Sequence, residues 1–468
     1  MNDAAAAALR DLLGERLATS PSVLGLHSRD ESRFAPREPD AVAFAESTEE
    51  VAAVLRTCAE HGVPVIPWGA GSSLEGHVLP VHGGVALDLT GMDEVLEVNA
   101  EDLDCRVQAG VHRLALEQRL GRDGLFFAVD PGADATLGGM AATAASGTRT
   151  TRYGTMRENV LGLRAVLADG TVVDTGTRAR KSSAGYDLTR LLLGSEGTLA
   201  VITELTLRIH GIPEEIAAAR CVFEDLAGAV GTVTEAVQLG IPMARCELLD
   251  PAAIRAVNAH DDLGEPEAYT LFLEFHGGPR SVAEQVEQVR EIAGAHGGGE
   301  FGWTATTDER NRLWRARHNA YFAITATRVG GDNIRAQTTD VCVPVSRLAE
   351  SITASAADAA ELPFPAAMVG HVADGNYHWI CPVDTGSEAE QAALAAFVER
   401  MVTRAQEAGG TCTGEHGVGL GKRDALLAQA GPEAVATMRA LKRALDPRGI
   451  LNPGKVLPEE PDPRRSPA

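Results

Sequence analysis

The chain has 468 residues, 44% of them hydrophobic and 23% charged, with a formal net charge of −23. That length exceeds one ordinary core and asks for two or three domains of a soluble globular enzyme. The acidic balance argues against a nucleic-acid partner and a basic membrane-binding surface, and no apolar run reaches the length of a transmembrane segment.

The seven cysteines are scattered without a Cys-x-x-Cys. That disfavours an iron–sulfur cluster or a disulfide framework and fits a reducing, cytoplasmic compartment. No basic stretch followed by an apolar run and a cleavage site opens the chain, so no secretory signal is expected.

In chain order, Ala4 to Leu17 reads as a short surface helix. Ala41 to Ala45 reads as a strand. Ser47 with Glu50 three residues on makes a capping box, and Val51, Val54, Leu55, Cys58 and Ala59 follow at helical spacing. Val63 to Trp68 is the next strand and runs into a glycine-rich loop. Further strands are expected at 85–89, 94–98, 105–109, 162–167 and 199–208, with a helix at 113–122. Around Gly211-Ile212-Pro213 the glycine-rich character stops. Beyond it, strands at 217–223, 245–249 and 269–275 interleave with helices at 226–239 and 282–295, which suggests an antiparallel sheet covered by helices. The segment 445–457 is turn-rich and fit to return to the first domain. The expected division is 1–36 as an N-terminal helical segment, 37–213 and 214–457 as two domains, and 458–468 as a disordered tail.

Three loops are poor in bulky side chains. Pro67-Trp68-Gly69-Ala70-Gly71-Ser72-Ser73 follows a strand and offers a nest of amides for a pyrophosphate. It is not a dinucleotide fingerprint, because no G-x-G-x-x-G opens a helix there. The run from Asp130 to Gly147 cannot build a core of its own and suits a backbone lying against something flat and large. Ser195-Glu196-Gly197-Thr198 leads into a β-branched strand fit to cover an adenine or ribose.

The stretch His371-Val-Ala-Asp-Gly-Asn-Tyr-His378 carries the sharpest chemistry. Asp374-Gly375 is a two-residue hairpin signal. With those residues at the tip, His371 faces His378 with Cβ atoms roughly 5 Å apart, and Asn376 lies on the same face. Two imidazoles so placed can share a divalent metal if a third ligand arrives from elsewhere, and Glu415 in Gly414-Glu415-His416-Gly417 is the candidate.

Eight ordered segments carry a resemblance: WGAGSSLEG, VDPGADATLGGMAATAASGTRTTRYGTMRENV, GYDLTRLLLGSEGTLAVITELTLR, LWRARHNAYFA, TTDVCVPVSRL, GHVADGNYHWI, CTGEHGVGLGKR and LDPRGILNPGK. From Ala41 to Leu457 the chain resembles the FAD-dependent D-lactate dehydrogenases of the cytochrome type and the D-type glycolate oxidase subunits, within the vanillyl-alcohol-oxidase-like flavoproteins. The resemblance implies an α+β fold: a two-subdomain FAD-binding domain of the vanillyl-alcohol-oxidase/PCMH type, a ferredoxin-like antiparallel-sheet cap, and a C-terminal return to the FAD domain. It implies FAD contacts from Pro67 and Gly69 to Ser73, and from Asp130, Pro131, Gly132, Thr136, Gly138, Gly139 and Ala142. Ser146, Gly147, Tyr153 and Gly154 would lie along the flavin, Glu196, Gly197 and Ile202 near the adenosine, and Asn452 would come from the tail. Some relatives bind FAD covalently through a His in the pyrophosphate loop; Ser72 stands there and His77 is too far along, so non-covalent FAD is expected.

The resemblance also makes His371, His378 and Glu415 the ligands of a divalent ion, Zn or Mn. His416 is the expected base for the substrate hydroxyl, since free imidazole titrates near pH 6.5 and can be neutral at working pH. Arg317, in Leu313-Trp314-x-x-Arg317, is the expected clamp for the substrate carboxylate through bidentate pairing. Asn376 would bond the substrate carboxylate or hydroxyl. Relatives specific for 2-hydroxyglutarate carry a Lys where this chain has Thr338, with Arg335 nearby, which tilts the substrate toward D-lactate. The expected reaction is oxidation of a D-2-hydroxy acid, with electrons passed to a quinone, cytochrome or electron-transfer protein, at the cytoplasmic side or the inner face of a membrane, and a homodimer as the assembly. The alternatives are a glycolate dehydrogenase subunit, a D-2-hydroxyglutarate dehydrogenase, a non-redox flavin-dependent transferase as in alkyl-glycerone-phosphate synthase, and a catalytically silent flavin-binding module.

Overall fold

The computed structural model describes residues 1–328 and 333–459. Of the tail 458–468, residues 460–468 therefore lie outside the described residues. Two compact units form. The first comprises Met1–Ala145, Thr155–Gly211 and the segment from Glu415; the second comprises Ser146–Gly154 and Ile212–Gly414. This differs from the expected division. Residues 1–36 are not separate, nine residues from the middle of the first half belong to the second unit, and the segment that joins the first unit begins at Glu415, ahead of the 445–457 expected to return to it.

In the first unit, β1 (Leu17–Ala18) pairs antiparallel with β2 (Ala41–Phe44), and β2, β4 (Val85–Asp88) and β3 (Val65–Trp68) run parallel. A second, antiparallel sheet has the order β5 (Val95–Asn99), β6 (Asp104–Gln108), β10 (Val201–Arg208), β8 (Val160–Val166), β9 (Val172–Gly176). A short pair joins β7 (Leu125–Phe126) to β11 (His210–Gly211). Residues of both large sheets share one apolar cluster. The strand β9 is not among the expected elements, because its half-exposed edge position leaves no apolar alternation to read.

The N-terminal helix spans Asp3–Leu13, capped by the Asn2 side chain on the Ala5 N–H. It is not a surface helix. Ala5, Leu9 and Leu13, four residues apart, bury one stripe in the main cluster, and each leucine contributes about 1.5–3 kcal/mol there. The helix Thr48–His61 is capped as expected, Ser47 Oγ accepting from the Glu50 N–H at 3.2 Å. Only half the capping box forms, because the Glu50 carboxylate accepts instead from the Glu46 N–H at 2.9 Å and from Arg16. The C-terminal segment lies along β3: Val65 N–H donates to Ile450 O and Asn452 N–H to Val65 O, each at 2.8 Å. That pairing closes an otherwise open sheet edge.

The second unit is built on an eight-stranded sheet. Its order is β15 (Phe301–Thr304), β12 (Glu215–Phe223), β14 (Tyr269–Gly277), β13 (Met243–Leu249), β18 (Ala367–His371), β19 (Asn376–Asp384), β16 (Ile334–Thr338), with β17 (Val341–Cys342) also on β19. Every pairing is antiparallel. Directly opposed residues share a face. Arg245 opposes Glu274, Glu247 opposes His371, His371 opposes Asn376, and Val369 opposes His378. One face of this sheet therefore carries Arg245, Glu247, Glu274, His276, His371, Asn376 and His378. Helices Pro251–Asp261 and Thr307–Thr325 pack on the apolar part of that face through Ala218, Phe272, Val369 and Ile380.

Candidate active site

Within the first unit the three small-residue loops meet. A Cβ on Gly69 would lie 2.3 Å from Thr136 Oγ1, one on Gly197 2.9 Å from Pro67 Cγ, and one on Gly138 2.6 Å from the Ala109 Cβ. Glu196 N–H donates to Ala142 O at 2.8 Å and ties the second loop to the third. A cradle of this kind, built where any side chain would overlap, fits the backbone approach that a flavin nucleotide needs. The side chains of Glu196 and Asn452 are engaged by protein. Glu196 accepts the N–H groups of Val418 and Gly419 at 2.7 and 2.8 Å and faces His77 Nε2 at 3.2 Å. Asn452 Nδ2 donates to His77 O and Glu196 O. Burial raises the Glu196 pKa, but His77 and the two amides outweigh it and hold the group below the usual carboxylate range. Glu196 thus anchors the loop that follows His416, whose side chain is 9% exposed.

In the second unit the hairpin is built differently from the expected two-residue turn. Four residues connect the strands: a 3-10 turn at Val372–Asp374 and then Gly375 at φ 77°. His371 opposes Asn376, and His378 opposes Val369. The register has slipped by two. An even slip keeps every side chain on its face, so the two imidazoles still meet, with ring centroids 5.5 Å apart. The tip is set by packing: Val343 N–H donates to Gly375 O, and a Cβ on Gly375 would lie 1.9 Å from Val343 O.

Each imidazole is oriented by its Nδ1. In His371 it bonds Glu247 Oε1 at 2.6 Å, and in His378 it bonds Thr339 O at 2.8 Å. A proton on Nδ1 leaves the lone pair on Nε2, the tautomer a metal ligand needs. Gly414 is pinned by its N–H to Asp340 Oδ2 at 2.9 Å, and Thr413 Oγ1 donates to the same oxygen at 2.6 Å. Glu415 is the next residue, and ligand atoms of His371, His378 and Glu415 lie within 4.8 Å of one another. Two imidazoles and one carboxylate in this arrangement fit a divalent ion with an open position.

Asn376 Nδ2 donates to Asp340 Oδ1 and Val341 O, both at 2.8 Å. Both its protons are used, so only the acceptor Oδ1 is left. That geometry is wrong for a carboxylate and right for a hydroxyl, which narrows the expected role. Arg317, on the helix Thr307–Thr325, donates Nε to Glu247 Oε2 at 2.7 Å. Among the described residues its Nη1 and Nη2 take no bond from this chain, so the fork that pairs with a carboxylate is available. Thr338 opposes Ile380 on the His378 face, whereas Arg335 opposes Val383 on the other face. Arg335 is therefore not near the site, contrary to expectation, because strand alternation turns it away.

Tyr153 lies in the nine-residue segment of the second unit. Its hydroxyl bonds His276 Nδ1 at 2.8 Å, and His276 Nε2 bonds Glu274 Oε1 at 2.8 Å. Arg152 Nη1 donates to His276 O at 2.7 Å.

The family model "FAD linked oxidases, C-terminal domain" matches residues 212–456, and "FAD binding domain" matches residues 39–176. The chain belongs to the FAD-linked oxidase family. It is 47% identical over 446 residues to a probable mitochondrial D-lactate dehydrogenase of Danio rerio, covering 95% of this chain and 89% of that protein. It is 42% identical to the mitochondrial "D-lactate dehydrogenase [cytochrome]" of Arabidopsis thaliana, covering 96% and 79%. It is 34% identical to the glycolate oxidase component GlcD of Bacillus subtilis, covering 90% of each. Among solved structures, p-cresol methylhydroxylase superposes with a TM-score of 0.79 at 18% identity, over 97% of this chain and 96% of that one, which shows the shared fold. FAD is thus the cofactor of this oxidoreductase, and the α+β architecture with a PCMH-type FAD-binding domain is as expected.

Two residues that organise the candidate site of this FAD-linked oxidase carry no motif of their own in the sequence. Glu247 is hidden inside the strand Met243–Leu249, although a charge at the centre of a fully buried strand is itself a signal. Asp340 shows in the sequence only as a landmark for Thr338. Its carboxylate holds Asn376, Thr413 and Gly414 together, a role spread over three segments and invisible from spacing.

Proposed function

We propose that this FAD-linked oxidase oxidises a small D-2-hydroxy acid, D-lactate foremost, to the 2-oxo acid, with non-covalent FAD and a divalent metal. The observation that carries the reading is the cluster of His371, His378 and Glu415, both rings in the ligand tautomer, in a chain whose relatives are named D-lactate dehydrogenases. FAD supplies the hydride acceptor. The metal, held by those three residues, supplies acidity at the substrate hydroxyl. The Arg317 fork binds the substrate carboxylate, Asn376 Oδ1 faces the hydroxyl, and His416 takes the hydroxyl proton. Thr338 offers no cation for a second carboxylate, and Arg335 lies on the opposite face, which supports a monocarboxylate over 2-hydroxyglutarate. The burial of His77 against Glu196, with Ser72 in the pyrophosphate loop, supports unlinked FAD.

Electrons then leave to a cytochrome, quinone or electron-transfer protein, a reading supported by the name of the Arabidopsis relative. No described helix is long and apolar enough to cross a membrane. The proposed site of action is the cytoplasm or the inner face of a membrane, with a homodimer as the assembly; the zebrafish and Arabidopsis relatives are named mitochondrial. The Bacillus relative supports a second reading, a glycolate-oxidising subunit. Anaerobic bleaching of the flavin by D- and L-2-hydroxy acids, before and after chelation, decides. D-lactate should bleach fastest and chelation should abolish the reaction. Faster bleaching by glycolate selects the second reading, and indifference to the chelator removes the metal.

A further inference from the structure

Glu247 is wholly buried at the centre of β13, opposite His371 on β18 and Phe272 on β14. Its two oxygens have different partners. Oε1 takes the His371 Nδ1–H at 2.6 Å, and Oε2 takes the Arg317 Nε–H at 2.7 Å. The partners come from 124 residues after it and 70 residues after it, one on the sheet and one on a helix packed over it. Taking a carboxylate out of water costs several kcal/mol, and replacing a buried ion pair by apolar residues is often neutral or stabilising. Stability alone therefore accounts poorly for a charge at this position.

We propose that Glu247 is the positioning residue that joins the metal subsite to the substrate-anion subsite: one oxygen fixes the tautomer and plane of His371, and the other fixes Arg317 by Nε so that its Nη fork is aimed outward. This rests on the reading of His371 as a ligand and Arg317 as the carboxylate clamp. The two subsites are then not independent. A carboxylate is the only side chain here that accepts from both. An amide presents one acceptor and one donor, so a Gln at 247 satisfies one partner and opposes an N–H against the other. If it opposes His371, the imidazole must move its proton to Nε2, which removes the lone pair from the metal side. If it opposes Arg317, the guanidinium loses its anchor.

The test uses the FAD-loaded full chain. Mn²⁺ affinity is measured by chelator competition, and the KM for D-lactate is measured separately at saturating Mn²⁺. Glu247→Gln should weaken Mn²⁺ about 10–100-fold, the usual range for removing a ligand's outer partner. It should also raise KM at least fivefold, with a smaller change in kcat and an unaltered flavin spectrum. Glu247→Asp, which keeps both acceptors, should recover part of both. If only one of the two quantities moves, or neither, the proposal fails. If Glu247→Gln does not fold, Arg317→Gln tests the same link from the helix. Arg317 is not a ligand, yet its loss should change Mn²⁺ affinity at least threefold, and an unchanged affinity overturns the coupling. Failure of the underlying reading looks different: wild-type protein would bind no Mn²⁺, or His371→Ala would leave its binding intact.

Discussion

The glycine-rich loops of the first unit and the polar face of the eight-stranded sheet build their candidate sites by opposite means. Gly69, Gly138 and Gly197 shape a cradle by what they lack, since a Cβ at any of them would overlap a neighbour. The polar face of the sheet is made by what is buried in it: Glu247, Asp340, His371, Asn376 and His378, each bonded to another segment of the chain. Overlap is a local failure and removes one binding surface. Removing a buried charge leaves its partner uncompensated, and the damage travels along the network. The difference predicts separable losses of FAD and of metal.

The largest effect is expected outside both networks, at the proposed base. His416→Ala should slow flavin reduction by D-lactate by about 10²–10⁴-fold, the span of general-base catalysis, with FAD retained. Stopped-flow absorbance checks it, and a wild-type rate would remove His416 from that role. The comparison itself is broken or sharpened by two glycine variants. Gly69→Ala places a methyl 2.3 Å from Thr136 Oγ1, and Gly414→Ala places one 2.3 Å from Asn376 Nδ2. Overpacking of this kind costs about 1–3 kcal/mol at either site. Gly69→Ala should lose FAD and keep Mn²⁺; Gly414→Ala should keep FAD and lose Mn²⁺. Parallel flavin and metal analysis reads both, and equal losses in the two variants would end the distinction.

The same contrast explains what is legible in the sequence. A cradle made of absent side chains appears as a run of small residues, so Gly69–Ser73 and Asp130–Gly147 stand out before any geometry is known. The hairpin is legible in its histidines and their common face but not in its register. Asp374-Gly375 signals a two-residue turn; the outcome is set by Val343, a residue far back in the chain that packs on Gly375. The partners of Glu247 and Asp340 are unreadable because they lie dozens of residues off in the chain. The stripe Ala5, Leu9, Leu13 is readable, and the expectation of a surface helix overlooks it: four-residue spacing of apolar side chains marks a buried face whatever its place in the chain.

Substrate choice tests the face assignment at a smaller scale. Thr338 is on the His378 face and Arg335 is not. Thr338→Lys should raise kcat/KM for a five-carbon dicarboxylic 2-hydroxy acid relative to D-lactate by about tenfold, the worth of one charge-assisted pair. Arg335→Ala should leave that ratio within about twofold. A large effect at 335 with none at 338 would reverse the assignment of the strand faces.

The smallest effect concerns the far end of the polar face, where Glu274 bonds His276 and lies 3.4 Å from Arg245. Burial raises the Glu274 pKa, but Arg245 first and then His276 and Arg149 outweigh it and hold the group at about 2, below its ordinary 4.5. A carboxylate depressed in the folded state binds fewer protons there than in the unfolded chain. Its stabilisation is fully present above pH 4.5 and is lost as pH falls from 4.5 through 2. The whole contribution is on the order of 3 kcal/mol, and only part of it is lost by about pH 3. Glu274→Gln removes the titrating group, so its urea midpoint should fall less steeply between about pH 4.5 and pH 3 than that of the wild type. It should also be less stable at about pH 7, where Arg245 keeps its charge without the carboxylate. Parallel curves for the two proteins in the acid range would mean that this ion pair does not set the acid limit of the sheet.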